Sequence, residues 1–297
     1  MMSKEQFTKE LVNELTERLG EKYSVHSQTV TKNNSVKLDA VVIRKEQQNV
    51  CPTIYIDNYF HEYCDGQKNL SCIASEIINV FHEHSKYSDD DFFNELRQKP
   101  LNIKCKLINT EANRMLLDTV PHQEWNDLSI VYYLELGADD DGKRTVTITH
   151  WLMEVLGLNF EELDRLATEN MEQNFNPCIE SMSTVIHRLL GMDDMLDSAE
   201  DNDRMYVISN EEKVNGAISI LHKDILKNFA TQKNIEKIWI LPSSIHEMIL
   251  VLDDGTMCAD TFNHMVQDVN ETEVDSLEVL SSQCYIYNRL TDSISVA

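Results

Sequence analysis

Glycine is scarce in this chain of 297 residues: there are eight, and none falls in a G-x-G-x-x-G or G-x-x-x-x-G-K pattern. Backbone cradles for nucleotide phosphates are thereby excluded in their usual forms. Long apolar runs are also missing, the longest being short stretches such as Ile238–Leu241 and Met248–Leu252. None reaches the roughly 20 residues that a membrane-spanning helix needs. The opening Met1-Met2-Ser3-Lys4-Glu5-Gln6 has no apolar core of a secretory leader. The seven cysteines (51, 64, 72, 105, 178, 258 and 284) are an odd number without a C-x-x-C pair. Neither a disulfide framework nor a zinc knuckle fits that arithmetic. A soluble protein of a reducing compartment, cytoplasmic rather than exported, is expected.

Positive charge is the other deficit. Lys and Arg number 26 against 51 Asp and Glu, a formal net charge of −25. Residues 1–50 hold eight basic and seven acidic residues, so residues 51–297 carry −26. Such a field repels nucleic-acid phosphates and anionic lipid, whose binding depends on neutralisation by Lys and Arg. Direct nucleic-acid binding and membrane association are therefore not expected, whereas a basic protein is the partner the charge favours. Mimicry of the charge of DNA toward a DNA-binding protein is a weaker alternative. Solubility alone is the bland account of the same excess.

What is present is a chain with ample material for a core, 42% hydrophobic. Its length suggests about two domains or one large one. Ser3 and Gln6 form a capping box ahead of Phe7, Leu11, Val12, Leu15 and Leu19 at helical spacing, which predicts a helix over 4–19 stopped by Gly20. Strands are expected at 23–31 and 35–44 around the Lys32-Asn33-Asn34 turn, with Val36, Leu38, Ala40 and Val42 on one face of the second, and a third strand over 52–56. A helix follows Asn69. Ser88–Asp91 before Phe92 reads as the cap of a short helix.

Beyond Pro100 two stretches share an element order. Strands at 102–109, 129–135 and 145–149 with helices at 111–117 and 160–172 read β-α-β-β-α. Strands at 205–209, 238–241 and 248–252 with helices at 214–230 and 261–270 read the same. Offsets of 109 and 103 between matched strands make this an inexact internal duplication. The expected fold is α/β (α+β), with mixed sheets covered by helices. Its expected divisions are 1–98, 99–192, an acidic linker at 193–203, and 204–297. Strands 238–241 and 248–252 are apolar on both faces and are expected to be buried.

Chemistry-bearing residues concentrate in Pro242-Ser243-Ser244-Ile245-His246-Glu247. Alternation along a strand would put Ser244 and His246 on one face and Ser243 and Glu247 on the other. A nucleophile–base pair needs direct hydrogen-bond contact, which side chains two apart on a strand do not make without a bend. The segment is read first as a hydrogen-bonded corner of the architecture, its hydroxyls satisfying turn backbone after the proline. A small-ligand site or a hydrolase built on Ser243, Ser244, His246 and Glu247 is the alternative. Asn170 and Asn270 each sit on or beside an apolar helical stripe and are expected to bond backbone, with a ligand contact as the minor reading. His82 and His84 point apart near a helix end, His61 and Cys64 have no second pair, and His222 reads as a core histidine. No metal and no cofactor is expected. The chain reads as a non-enzymatic interaction or regulatory module.

Three further strings bear on kinship. The run Ile240–Glu247, the run Met205–Asn210 followed by Asn215-Gly216-Ala217, and Tyr55-Ile56 with the Leu163–Asn170 helix resemble an uncharacterised bacterial family of unknown function. The resemblance covers nearly the whole chain. It implies a bacterial intracellular protein, carried by mobile elements, and supplies no activity, cofactor or catalytic residue.

Overall fold

The computed structural model describes residues 2–46, 51–84, 94, 96, 101–139, 142–192 and 203–297. The chain divides into two compact units, Met1–Pro100 and Leu101–Ala297.

In the first unit, α1 (Lys4–Leu19) begins on the capping box expected of it. Ser3 Oγ accepts from the Gln6 amide, and Gln6 Oε1 accepts from the Ser3 amide. Gly20 closes it at a φ of +74°. Phe7, Leu11 and Leu15, four residues apart, are fully buried. β1 (Tyr23–Thr31) and β2 (Lys37–Lys45) pair antiparallel over their full length through a turn in which Asn34 and Ser35 take positive φ. β3 (Thr53–Tyr55) adds to β2. The face of β2 that meets the helices is Val41 and Ile43, the face opposite to Ala40 and Val42, although those two are buried as well. A strand buried on both sides leaves no alternation for the sequence to declare.

Two helices follow β3. α2 (Asp57–Cys64) was concealed by its half-buried, mostly polar composition, and α3 (Leu70–His84) buries Ile73, Ala74, Ile77 and Phe81. The order of the unit is thus α-β-β-β-α-α. Of the helix expected from Ser88, Asn94 and Leu96 are among the described residues and both are helical, and the rest lies outside them.

The second unit contains two antiparallel sheets. β4 (Ile103–Asn109), β5 (His122–Trp125), β6 (Leu128–Asp139) and β7 (Gly142–Thr147) form the smaller, with β4 along one side of β6 and β5 and β7 along the other. Three short or amphipathic helices accompany it: α4 (Arg114–Leu117), α5 (His150–Val155) and α6 (Phe160–Asn174). α6 starts on the Asn159/Glu162 capping box. The larger sheet contains β8 (Pro177–Ser181), β9 (Met205–Asn210), β10 (Lys237–Ser244), β11 (Glu247–Leu252), β12 (Tyr285–Asn288) and β13 (Ser293–Val296) in the order β13-β12-β10-β11-β9-β8. Its helices are α7 (Met182–Leu189), α8 (Ile225–Gln232) and α9 (Ala259–Thr272).

The fold is therefore α/β (α+β). The expectation of mixed sheets is corrected: every pairing among the described residues is antiparallel. Hairpins such as β10–β11 and β12–β13 leave no room for the crossover that a parallel pair needs. The duplication is corrected too. β4 pairs with β6, whereas β9, its supposed counterpart, pairs with β11 and β8 rather than β10. β8, before the acidic run, pairs with β9 after it. Residues 193–202 of that run lie outside the described residues, and the Asp203 carboxylate accepts from the Ser183 amide and hydroxyl.

The helix expected over 214–230 is broken. A 3₁₀ turn (Gly216–Leu221) precedes α8, and Asn215 and Asp224 take left-handed φ of 53° and 59°. His222 lies in the extended link between them and not on a helix face.

β10 and β11 are the buried centre. Ile238, Ile240, Met248 and Leu250 pack into the core beneath the 3₁₀ turn and α8, while Trp239 and Leu241 pack against Phe262 and Val266 of α9.

Candidate functional site

The Pro242–Glu247 segment is a hairpin end. Pro242 pairs with Met248 and Ser244 with Glu247, so Ser243 is the extra residue of a bulge and Ile245-His246 is a two-residue turn. The alternation expected across this segment is corrected by that bulge and turn. Ser244 and Glu247 face one another as the last pair, and His246 is the second residue of the turn. Neither turn residue has a positive φ, unlike the glycine-containing loops that normally close so tight a hairpin.

Bonds from other segments hold the tip instead. The Ile245 amide donates to the Glu278 carbonyl at 2.9 Å, and the Ala217 amide donates to the Ile245 carbonyl at 3.3 Å. Ser209 Oγ donates to the His246 carbonyl at 2.8 Å, and the His246 amide donates to Ser244 Oγ at 3.0 Å. Ile245 itself is buried, a turn residue that anchors the tip in the core. The neighbouring loop is equally tied: the Asn210 side chain donates to the Val214 carbonyl and accepts from the Val214 amide. Ser219 Oγ donates to the Ser209 carbonyl inside the core.

The His246 ring is engaged on both sides. Its Nδ1 accepts from the Asn215 amide at 3.1 Å, and its Nε2 lies 3.3 Å from Glu278 Oε1. The Asn215 amide makes Nδ1 an acceptor, and Nε2 is the ring nitrogen that faces the carboxylate. Ser244 Oγ accepts from the backbone of the same turn. The structure thus brings Ser244, His246 and Glu247 together at one tip. It gives the imidazole an amide and a carboxylate for partners, not a hydroxyl to activate.

The asparagines lie elsewhere and do related work. Asn170 Nδ2 donates to the carbonyls of Leu101 and Ile103 at 3.0 and 2.9 Å, tying α6 to the start of β4. Asn270 Nδ2 donates to the Ser281 carbonyl at 2.9 Å. Asn263, one heptad earlier on α9, accepts from the Cys284 amide at 2.7 Å, a partner the sequence reading missed. Asp127 was missed as well. Its carboxylate accepts from Ser281 Oγ and Tyr285 Oη, both at 2.6 Å. Burial first, and the adjacent Asp127 carboxylate second, push the Tyr285 phenol well above its ordinary range. The segment carrying Glu278 is therefore pinned from α9 and from the β5–β6 turn. Asp127 and Tyr285 are far apart in sequence, and no local pattern joins them.

Among the described residues no group of three or more His, Cys, Asp or Glu is placed to hold a metal ion, and no helix is long and apolar enough to cross a membrane. Cys105 is half-buried against the core, and burial first and the Asp164 carboxylate second push its thiol up to about 12.

Residues 4–289 match the Family of unknown function (DUF5688). The chain belongs to this family. Comparison with curated proteins and with solved structures finds no match. DUF5688 membership thus spans both units and assigns no chemistry to the 242–247 tip.

Proposed function

We propose that this DUF5688 chain is a non-enzymatic interaction module of the bacterial cytoplasm whose second unit meets a basic protein. One observation carries the reading. Of the net −25, residues 101–297 hold −21, with 14 Lys and Arg against 35 Asp and Glu, and residues 1–100 hold −4. Fourteen cations cannot neutralise thirty-five carboxylates in any arrangement. Several are already consumed within the unit: Arg188 and Lys213 share Glu180, Lys104 and Lys143 share Glu135, and Arg204 holds Asp254. Arg188 first, then Lys213, keeps the Glu180 carboxyl below its usual range against the opposing effect of partial burial. The remaining field attracts a cationic surface over a Debye length and speeds its encounter.

The tip supports the same reading, since Ser244 Oγ accepts from backbone and the His246 ring lies between a backbone amide and a carboxylate. Affinity capture with the full chain, followed by titration of each recovered partner, tests the proposal. Partners should be basic, and their affinity should fall on the order of tenfold or more between ~50 mM and ~0.5 M salt. Partners that are acidic, or whose affinity ignores salt, would overturn it.

A further inference from the structure

The first unit presents an unguarded sheet edge. β1 is an end strand of nine residues, Tyr-Ser-Val-His-Ser-Gln-Thr-Val-Thr, without a Lys, Arg, Asp, Glu or Pro. An edge strand offers a row of unpaired amides and carbonyls, and proteins block such rows with charge, proline, short length or a covering element. Among the described residues the other edges are blocked in these ways. β3 and β13 are three and four residues long, and four-residue β5 carries Glu124. β7 carries Lys143 and Arg144, and β8 begins at Pro177 and carries Glu180. β4 has Lys104 and Lys106, and the Asn170 side chain occupies carbonyls at its start. β1 alone is long and bare.

A groove of about 560 Å³ runs between α1 and the sheet, where Ser27, Gln28 and Thr29 of β1 line it together with Lys4, Glu5 and Lys9 of the helix and Asp39 of β2, so the space borders β1 and carries balanced charge. All three β1 residues are exposed. An added strand sits about 4.8 Å from its neighbour, and an exposed, uncharged edge strand is the setting for strand addition.

We propose that the occupant is β1 of a second copy, paired antiparallel about a two-fold axis to make one continuous six-stranded sheet. Charge permits a second copy here more than anywhere else in the chain, and the symmetry of the edge favours one. Two chains of net −25 repel, and they do so least where the first fifty residues sum to +1 and the whole first unit to −4. The edge is also free of like charges that self-pairing would set opposite one another. An antiparallel two-fold pairing uses the same surface on both partners, so a strand lacking charge is complementary to itself.

The test is the mass of the full chain in solution across a concentration series, for wild type and for the double variant S27K/Q28K, which places guards on the exposed edge. Wild type should reach twice 34.3 kDa and S27K/Q28K should stay at 34.3 kDa with an unchanged circular dichroism spectrum. Amide exchange supplies a readout that does not depend on the variant's folding: Tyr23–Thr31 amides of wild type should gain protection as concentration rises. A wild type that remains at 34.3 kDa, including one that instead captures a foreign extended peptide, overturns the proposal. So does a dimer that survives S27K/Q28K, or one that forms without added protection in β1.

Discussion

A single missing carbon atom shapes the corner at the 242–247 tip. A Cβ on Gly216 would lie 2.1 Å from Ser209 Oγ, 2.5 Å from the His246 carbonyl oxygen and 2.8 Å from the Asn210 amide nitrogen. Two of those atoms are backbone and cannot swing away, so glycine is required here for close approach and not for an unusual φ. The Ser209–His246 bond passes directly over this position. Gly216→Ala should therefore cost about 2–4 kcal/mol, combining overpacking with the loss of one buried hydrogen bond. Urea unfolding of wild type and variant measures it. A loss below about 0.5 kcal/mol would mean that the corner is soft and that the hairpin end is held from elsewhere. The sequence displayed the residues of this corner as a string, Pro242 to Glu247, but not its shape. Ile-His is not turn chemistry, and the bonds that make it a turn come from Ser209, Asn215, Ala217 and Glu278, none of them neighbours in sequence.

Elements with local signals were legible, and those defined by distant partners were not. α1, α3 and α6 announced themselves by caps and by apolar spacing within a few turns. β5, β8, β12 and β13 have four or five residues each, too few to show a period, and exist because β6, β9, β10 and β12 respectively are there to pair with. Docking of α1 adds a feature that no periodicity reports. Lys4 Nζ lies 2.7 Å from Asp39 of β2 and 2.6 Å from Asp57 of α2, joining three elements at one ammonium. The hydrogen bond from Lys4, against the opposing effect of partial burial and aided by Thr29, holds the Asp39 carboxyl below its ordinary value. A carboxyl depressed in the folded state contributes stability that is complete above the unfolded value of about 3.9 and is lost as pH falls through the folded one. Asp39→Asn should accordingly be less stable than wild type at pH 7. The group is a third exposed, which limits the gap to about 0.5–1 kcal/mol. The gap should close as the pH is lowered past about 4, read from unfolding midpoints followed by circular dichroism. A gap that persists undiminished in acid would assign the effect to packing and not to charge.

At the scale of the molecule, charge acts against the compact state before any partner arrives. The second unit confines a net −21 within 197 residues, and self-repulsion of that size destabilises the fold. Ion pairs inside the same unit act in the other direction: Arg204–Asp254 and Arg188–Glu180 are attractive and would be weakened by salt. The balance follows from numbers and exposure. The cations in these pairs are more than a third exposed, where an ion pair contributes little, while carboxylates outnumber cations in the unit by 21. Screening should therefore relieve more repulsion than it removes attraction. The melting temperature should rise by about 2–8 °C as sodium chloride increases from ~10 mM to ~0.5 M, corresponding to roughly 1–2 kcal/mol for a unit of this size. A scan at several salt concentrations reads this directly. A basic partner would do the same work as salt while it is bound, so saturation with such a partner should raise the low-salt melting temperature more than the high-salt one. A melting temperature that falls with salt would mean that the carboxylates are neutralised locally, and the anionic exterior would then have no long-range field with which to recruit anything.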